Sequence, residues 1–248
     1  MTFKVNFLIC GTQKGGTTAL ADYLRLHPQI HIPARKELHF FDNENICWQN
    51  PPYWHYHRSY QNAEHHQLWG DATPIYMYWK PAVERIWRYN SSMRLIATLR
   101  NPISRAYSHW AMEFSRGKEL LSFDEALKKE EHRCRSALPQ QHRRFSYLDR
   151  GFYSEQLRRL WQFFGRDAVL ILRQEELLKN PSYCLNETCI HLGIKEMPSF
   201  TPFLSRVGPR KIPMSHWAKA FLRNYYQAEI SQLEIMLNWD CKAWLEED

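Results

Sequence analysis

The residues best equipped for chemistry lie near the start of the chain, in Gly11-Thr12-Gln13-Lys14-Gly15-Gly16-Thr17-Thr18. Two adjacent glycines allow a tight turn in which successive N–H groups point inward at an anion. A helix following such a turn adds its N-terminal dipole and free N–H groups, which favour a phosphate. Lys14 supplies a full charge, and Thr17 and Thr18 supply hydroxyl donors. The chemistry this predicts is a grip on a phosphate-like group. The nucleotide-hydrolysing pattern G-x-x-x-x-G-K-[ST] is the first comparison. Gly11 and Gly16 keep its spacing, but Thr17 stands in the lysine position and the lysine lies at 14. No apolar strand is read as ending in Asp to hold Mg²⁺, since the later apolar runs lead into Arg100 and Arg173. Arginines where a metal carboxylate belongs imply metal-free chemistry. An ATP-using phosphotransferase with a divergent loop is the alternative.

Such a loop must be carried by a strand and a helix. Val5–Ile9 is a short apolar run ahead of the glycines and reads as a buried strand. Thr17–Leu26 has helical spacing, with Leu20, Tyr23 and Leu24 on one side. A second strand is predicted at Leu95–Leu99, then a helix opened by Asn101-Pro102 and running to about Phe114. Ser122 and Glu125 form a capping box. Leu157, Leu160, Trp161 and Phe164 share one helical face, Ala168–Leu172 reads as a third strand, and Asn180-Pro181 opens another helix. A last long helix is predicted over Ser215–Leu237. Apolar strands alternating with helices predict an α/β fold with a mostly parallel sheet covered on both faces. With no repeat and no linker, residues 1–248 read as one domain.

Bulk composition narrows the partners less than the loop does. The chain is 44% hydrophobic, enough for a full core, which excludes a disordered protein. No apolar stretch is long enough for a membrane span. The N-terminal apolar run is too short for a signal peptide, so the expected location is cytoplasmic. Six cysteines form no CxxC pair and are expected as reduced thiols. The histidines, including His55, His57 and the His65-His66 pair, form no HExxH and no zinc-like spacing, so no metal is expected. The charge of +7 fits nucleic acid, acidic lipid, a polyanionic sugar or a phosphorylated cofactor. Arg143, Arg144 and Arg150 are a basic cluster with no nucleic-acid motif around them, so nucleic acid is not expected.

Gln13-Lys14-Gly15-Gly16-Thr17-Thr18 resembles the 5′-phosphosulfate loop of sulfotransferases that use 3′-phosphoadenosine 5′-phosphosulfate (PAPS). Arg100-Asn101-Pro102 with Arg105, Tyr107 and Ser108 is similar to that family's 3′-phosphate strand and helix. Lys36-Glu37-Leu38-His39-Phe40-Phe41-Asp42 resembles a segment of the glycan, heparan-type branch. Gly151-Phe152-Tyr153, Glu175, Asn180-Pro181 and Pro213-Met214-Ser215 follow in family order, so the resemblance covers nearly the whole chain. It implies a three-layer α/β/α fold with a P-loop-like turn. It also implies sulfuryl transfer from PAPS to an acceptor hydroxyl, on a carbohydrate or a small natural product, without a metal. Lys14 would stabilise the leaving group and Gly15, Gly16, Thr17 and Thr18 would hold the 5′ end. The 3′-phosphate would fall to Arg100 and Ser108, with Arg210 and Lys211 closing over the donor. Glu37 matches the catalytic base position, and its neighbouring rings suit a carboxylate raised toward neutrality; His39 is the second candidate. Phe40, Thr73 and Pro74 resemble acceptor-side residues, together with Glu37 and His39. Ala72 stands where many glycan enzymes carry Lys, which weakens the case for a polyanionic acceptor. The aromatic stretch from Phe40 to Trp87 could line an acceptor pocket.

Overall fold

The computed structural model describes residues 4–61, 67–202 and 213–246. Its elements run in the order β1 (Phe7–Gly11), α1 (Thr17–Leu24), β2 (Ile30–His31), α2 (Tyr53–His57), β3 (Leu68–Ala72), α3 (Lys80–Tyr89), β4 (Arg94–Leu99) and α4 (Pro102–Ser115). There follow α5 (Phe123–Ser136), α6 (Tyr153–Phe164), β5 (Val169–Arg173), α7 (Gln174–Lys179), α8 (Pro181–Leu192), α9 (His216–Leu237) and α10 (Ala243–Glu246). Two compact units divide them. The first holds the described residues up to Leu99 and from Arg158 to residue 202; the second holds Arg100–Leu157 and the described residues from 213 onward.

In the first unit the strands pair in parallel throughout, in the order β2-β3-β1-β4-β5. Every residue of β1 is buried, as are Leu95–Leu99 of β4, the pattern of strands covered on both faces. Phe7, Ile9, Ile96 and Leu172 point to one face and pack with Leu20 and Leu24 of α1 and Leu185 of α8. Leu8, one residue out of phase, is fully buried on the other face. Each such side chain contributes about 1.5–3 kcal/mol. This is the three-layer α/β/α arrangement expected from the sequence. The first strand lies two residues later than the apolar run suggested, because Gly11 still pairs, with Ala97 of β4.

Parallel pairing puts the C-terminal ends of the strands along one edge. Around β1 the connections reverse direction across the sheet, since β3 lies on one side and β4 on the other. The crevice beyond strand ends at such a point is where α/β sheets hold ligands. The glycine-rich loop leaves the end of β1, the Glu37 segment follows β2, and Asp71 and Ala72 close β3.

The second unit is helical. Asn101 caps α4 by accepting from the Ile103 N–H at 2.9 Å, and its amide donates to the Trp244 carbonyl at 2.9 Å. The capping box of α5 forms between Ser122 and Glu125, and Ser215 caps α9. Glu130, buried, accepts from the N–H groups of Leu148 and Asp149 at 2.7–2.9 Å. Arg105 donates to the Tyr147 carbonyl beside it.

Candidate active site

β1 delivers the chain into the loop, and Thr12 ties that loop to β4. The Thr12 N–H and hydroxyl both donate to the Thr98 carbonyl, at 3.0 and 2.9 Å, and the Gly15 N–H returns to the Thr12 carbonyl at 2.9 Å. A Cβ at Gly15 would stand 2.4 Å from the Thr98 carbonyl oxygen, and Gly16 has φ +94°. One glycine is required by close approach and the next by left-handed backbone. No side chain caps α1 and no acid lies in its first turn, so its N-terminal N–H groups and positive dipole end suit an anion.

Lys14, Glu37 and His39 hold φ of +71°, +61° and +53°. Among the described residues the other non-glycine with positive φ is Asn238, which ends α9. Left-handed backbone at a residue with a Cβ costs on the order of 1 kcal/mol and clusters at functional sites. Three of the four such positions are thus the residues singled out for catalysis.

His39 lies between two carboxylates. Its Nδ1 is 3.0 Å from Asp42 Oδ2 and its Nε2 is 3.5 Å from Glu37 Oε2. Hydrogen bonding to buried Asp42, then to Glu37, pushes the imidazole up to about 9 against the effect of burial. At neutral pH His39 is therefore a cation and cannot accept a proton. Lys36, which sequence reasoning passed over as a mere flank, donates from Nζ to the Thr18 hydroxyl and stands 3.8 Å from Glu37 Oε1. It joins the glycine loop to the carboxylate.

Behind them, Asp71 near the end of β3 is fully buried. It accepts from the hydroxyls of Thr73 (2.7 Å), Tyr76 (3.0 Å) and Tyr56 (3.1 Å). Burial pushes its carboxyl up to about 6, partly offset by those hydroxyls. A strand closing on Asp does exist, contrary to the sequence reading, but three hydroxyls already occupy that carboxylate. Thr73 and Pro74 are buried as well, the Thr73 hydroxyl facing Asp71. A cavity of about 570 Å³ opens instead beside His39 and Phe40, with Arg35, Asn43, Asn45 and Tyr56 in its wall. Most rings of the aromatic stretch pack on one another; Phe40 stacks on Tyr56 at 4.9 Å, and Phe41 meets Tyr76 edge-on at 5.5 Å.

In the second unit Arg100 opens the chain into α4, half-buried, its carbonyl accepting from the Tyr153 hydroxyl at 2.9 Å. Ser108 lies two turns into α4 and is half-buried. Arg150 is buried and donates to Ser146 and the Arg143 carbonyl, and Arg144 pairs with Glu113 at 3.4 Å. That cluster is largely committed to its own unit. Arg210 and Lys211 lie outside the described residues. Among the described residues no group of three His, Cys, Asp or Glu is arranged to hold a metal ion, and no helix is long and apolar enough to cross a membrane.

The sulfotransferase domain family matches residues 4–202. The chain belongs to that family. Human heparan sulfate glucosamine 3-O-sulfotransferase 6 is 30% identical over 190 residues, covering 77% of this chain and 52% of that protein. The membrane-associated sulfotransferase kil1 of Dictyostelium discoideum is 24% identical over 314 positions, covering 96% and 66%. The chain thus spans about half the length of the heparan-sulfate relative. A sulfotransferase crystal structure from Alicyclobacillus acidocaldarius superposes with a TM-score of 0.84 at 26% identity, covering 98% of this chain and 99% of that one. The heparan-type branch that the sequence resembles is represented among these relatives.

Proposed function

We propose that this sulfotransferase moves a sulfuryl group from PAPS to an acceptor hydroxyl by in-line transfer, the chain working as one catalytic domain. The observation that supports it best is the link Thr18–Lys36–Glu37, which joins a glycine loop suited to a phosphate-type anion to a carboxylate suited to proton abstraction. PAPS supplies the sulfuryl group as substrate. The backbone of Gly15, Gly16, Thr17 and Thr18 grips its 5′ end. Lys14 meets the bridging oxygen, where charge grows as the sulfur–oxygen bond breaks. Glu37 takes the hydroxyl proton while the acceptor oxygen bonds to sulfur. His39, kept cationic by Asp42, holds Glu37 in place. Arg100 and Ser108 take the 3′-phosphate, a role drawn from family likeness, as is the closing role of Arg210 and Lys211. Arginine's planar fork suits phosphate oxygens.

The acceptor enters beside His39 and Phe40. A cavity of about 570 Å³ is in the range that holds a small ligand, and a sugar hydroxyl is the first to try, since a relative is named for heparan sulfate glucosamine. Thermal shift with adenosine 3′,5′-bisphosphate (PAP) against Mg-ATP tests the reading. At a hundredfold excess over Kd, PAP should add about 2.7 kcal/mol to stability. Preference for Mg-ATP overturns it in favour of a phosphotransferase. Labelled PAPS offered with sugars and hydroxylated metabolites then identifies the acceptor.

A further inference from the structure

We infer that Lys36 is a positioning residue for the transfer, one ammonium that sets the Thr18 hydroxyl to donate to the sulfuryl end of the donor and orients the Glu37 carboxylate. This rests on the reading of the loop and of Glu37 given above.

The side chain of Lys36 keeps only 20% of its surface exposed, although lysine is ordinarily solvated. Its Nζ donates to Thr18 Oγ1. A hydroxyl that accepts from an ammonium keeps its own hydrogen to give. Thr18 lies in the first turn of α1, where an anion would meet it, so the contact fixes the direction in which Thr18 donates.

The second contact holds Glu37. Lys36 Nζ is 3.8 Å from Oε1, while His39 Nε2 is 3.5 Å from Oε2. Each carboxylate oxygen faces a different cation, which fixes the carboxylate from both sides. Lys36 and His39 face Glu37, and Asp42 pairs with the other nitrogen of the same imidazole. Two carboxylates therefore flank one imidazole, and Ala72 at the end of β3 adds no charge. A donor bearing phosphate and sulfate would meet repulsion there. Lys36 offsets it on the side that faces the loop.

The test compares Lys36→Ala and Lys36→Arg with the unaltered protein, by calorimetric titration with PAPS and with PAP. PAP keeps the 5′-phosphate but lacks the sulfuryl group. Lys36→Ala should weaken PAPS about tenfold or more and PAP by less than about threefold, and Lys36→Arg should restore most of the difference. In ¹³C carboxyl titrations, assigned with Glu37→Gln, the Glu37 resonance should titrate at higher pH in Lys36→Ala, where the facing ammonium is gone. Equal losses for PAPS and PAP, or an unmoved titration, overturn the role of Lys36 alone. Failure of the unaltered protein to bind either nucleotide overturns the loop reading, and the Lys36 role with it.

Discussion

Glu37 and His39 share a short segment, and Asp42 sets the charge of one of them, holding the imidazole protonated at neutral pH. With Glu37 as base, Glu37→Gln should leave PAP affinity intact and lower turnover by about 10²–10⁴; unchanged turnover would refute the assignment. His39, raised from its ordinary 6.5 to about 9, contributes pairing that is complete below about 6.5 and lost as pH rises through about 9. Turnover should fall on that alkaline limb. Asp42→Asn removes the largest cause of the shift, so the limb should move to lower pH. At this scale the sequence carried the residue types but not their roles. His39 as base or cation depends on the burial of Asp42, three positions on, and no spacing reveals burial. Lys36 stood in plain sight beside Glu37; its reach to Thr18 depends on two loops meeting, which only the folded sheet edge provides.

The glycine loop is an element whose shape rests on one carbonyl. Gly15→Ala would place its Cβ against the Thr98 oxygen, which is backbone and cannot swing aside. We expect PAP binding to fall at least tenfold while the protein melts as a folded domain, destabilised by about 1–3 kcal/mol. Full PAP affinity in that variant would show that the loop geometry is not needed. Elements with strong local signals were legible: Asn101-Pro102, Ser122 with Glu125, Asn180-Pro181 and Ser215 all cap helices where their types predict. β3 was not. Its Leu-Trp-Gly-Asp-Ala places a glycine and an acid inside a strand, types that disfavour one. Pairing with β1 overrides that preference, and so the strand that closes on Asp went unread.

For the molecule as a whole, each unit buries an acid raised by desolvation: Asp71 to about 6 in the first, Glu130 from its ordinary 4.5 to about 7 in the second. A carboxyl whose folded pKa is raised stabilises the fold at low pH and loses that contribution as pH rises through the folded value. Melting temperature should therefore decline from about pH 4.5 to 7, opposite to the trend that surface ion pairs produce. Glu130→Gln should flatten part of that slope, and an unchanged slope would exclude Glu130 as its source. The charge of +7 says little by comparison, because Arg150 and Arg144 are engaged within their own unit. What matters is where a few cations sit.

The Thr12 hydroxyl and the carbonyl it meets belong to residues 86 positions apart. During synthesis the glycine loop emerges before its anchor, which arrives only with β4. Contacts so distant along the chain form late in folding. A nascent chain that stops short of Thr98 therefore has the loop's residues without the loop's shape, and Lys14 has nothing to grip with. The loop's geometry becomes a property that the chain acquires only once the centre of its sheet has closed.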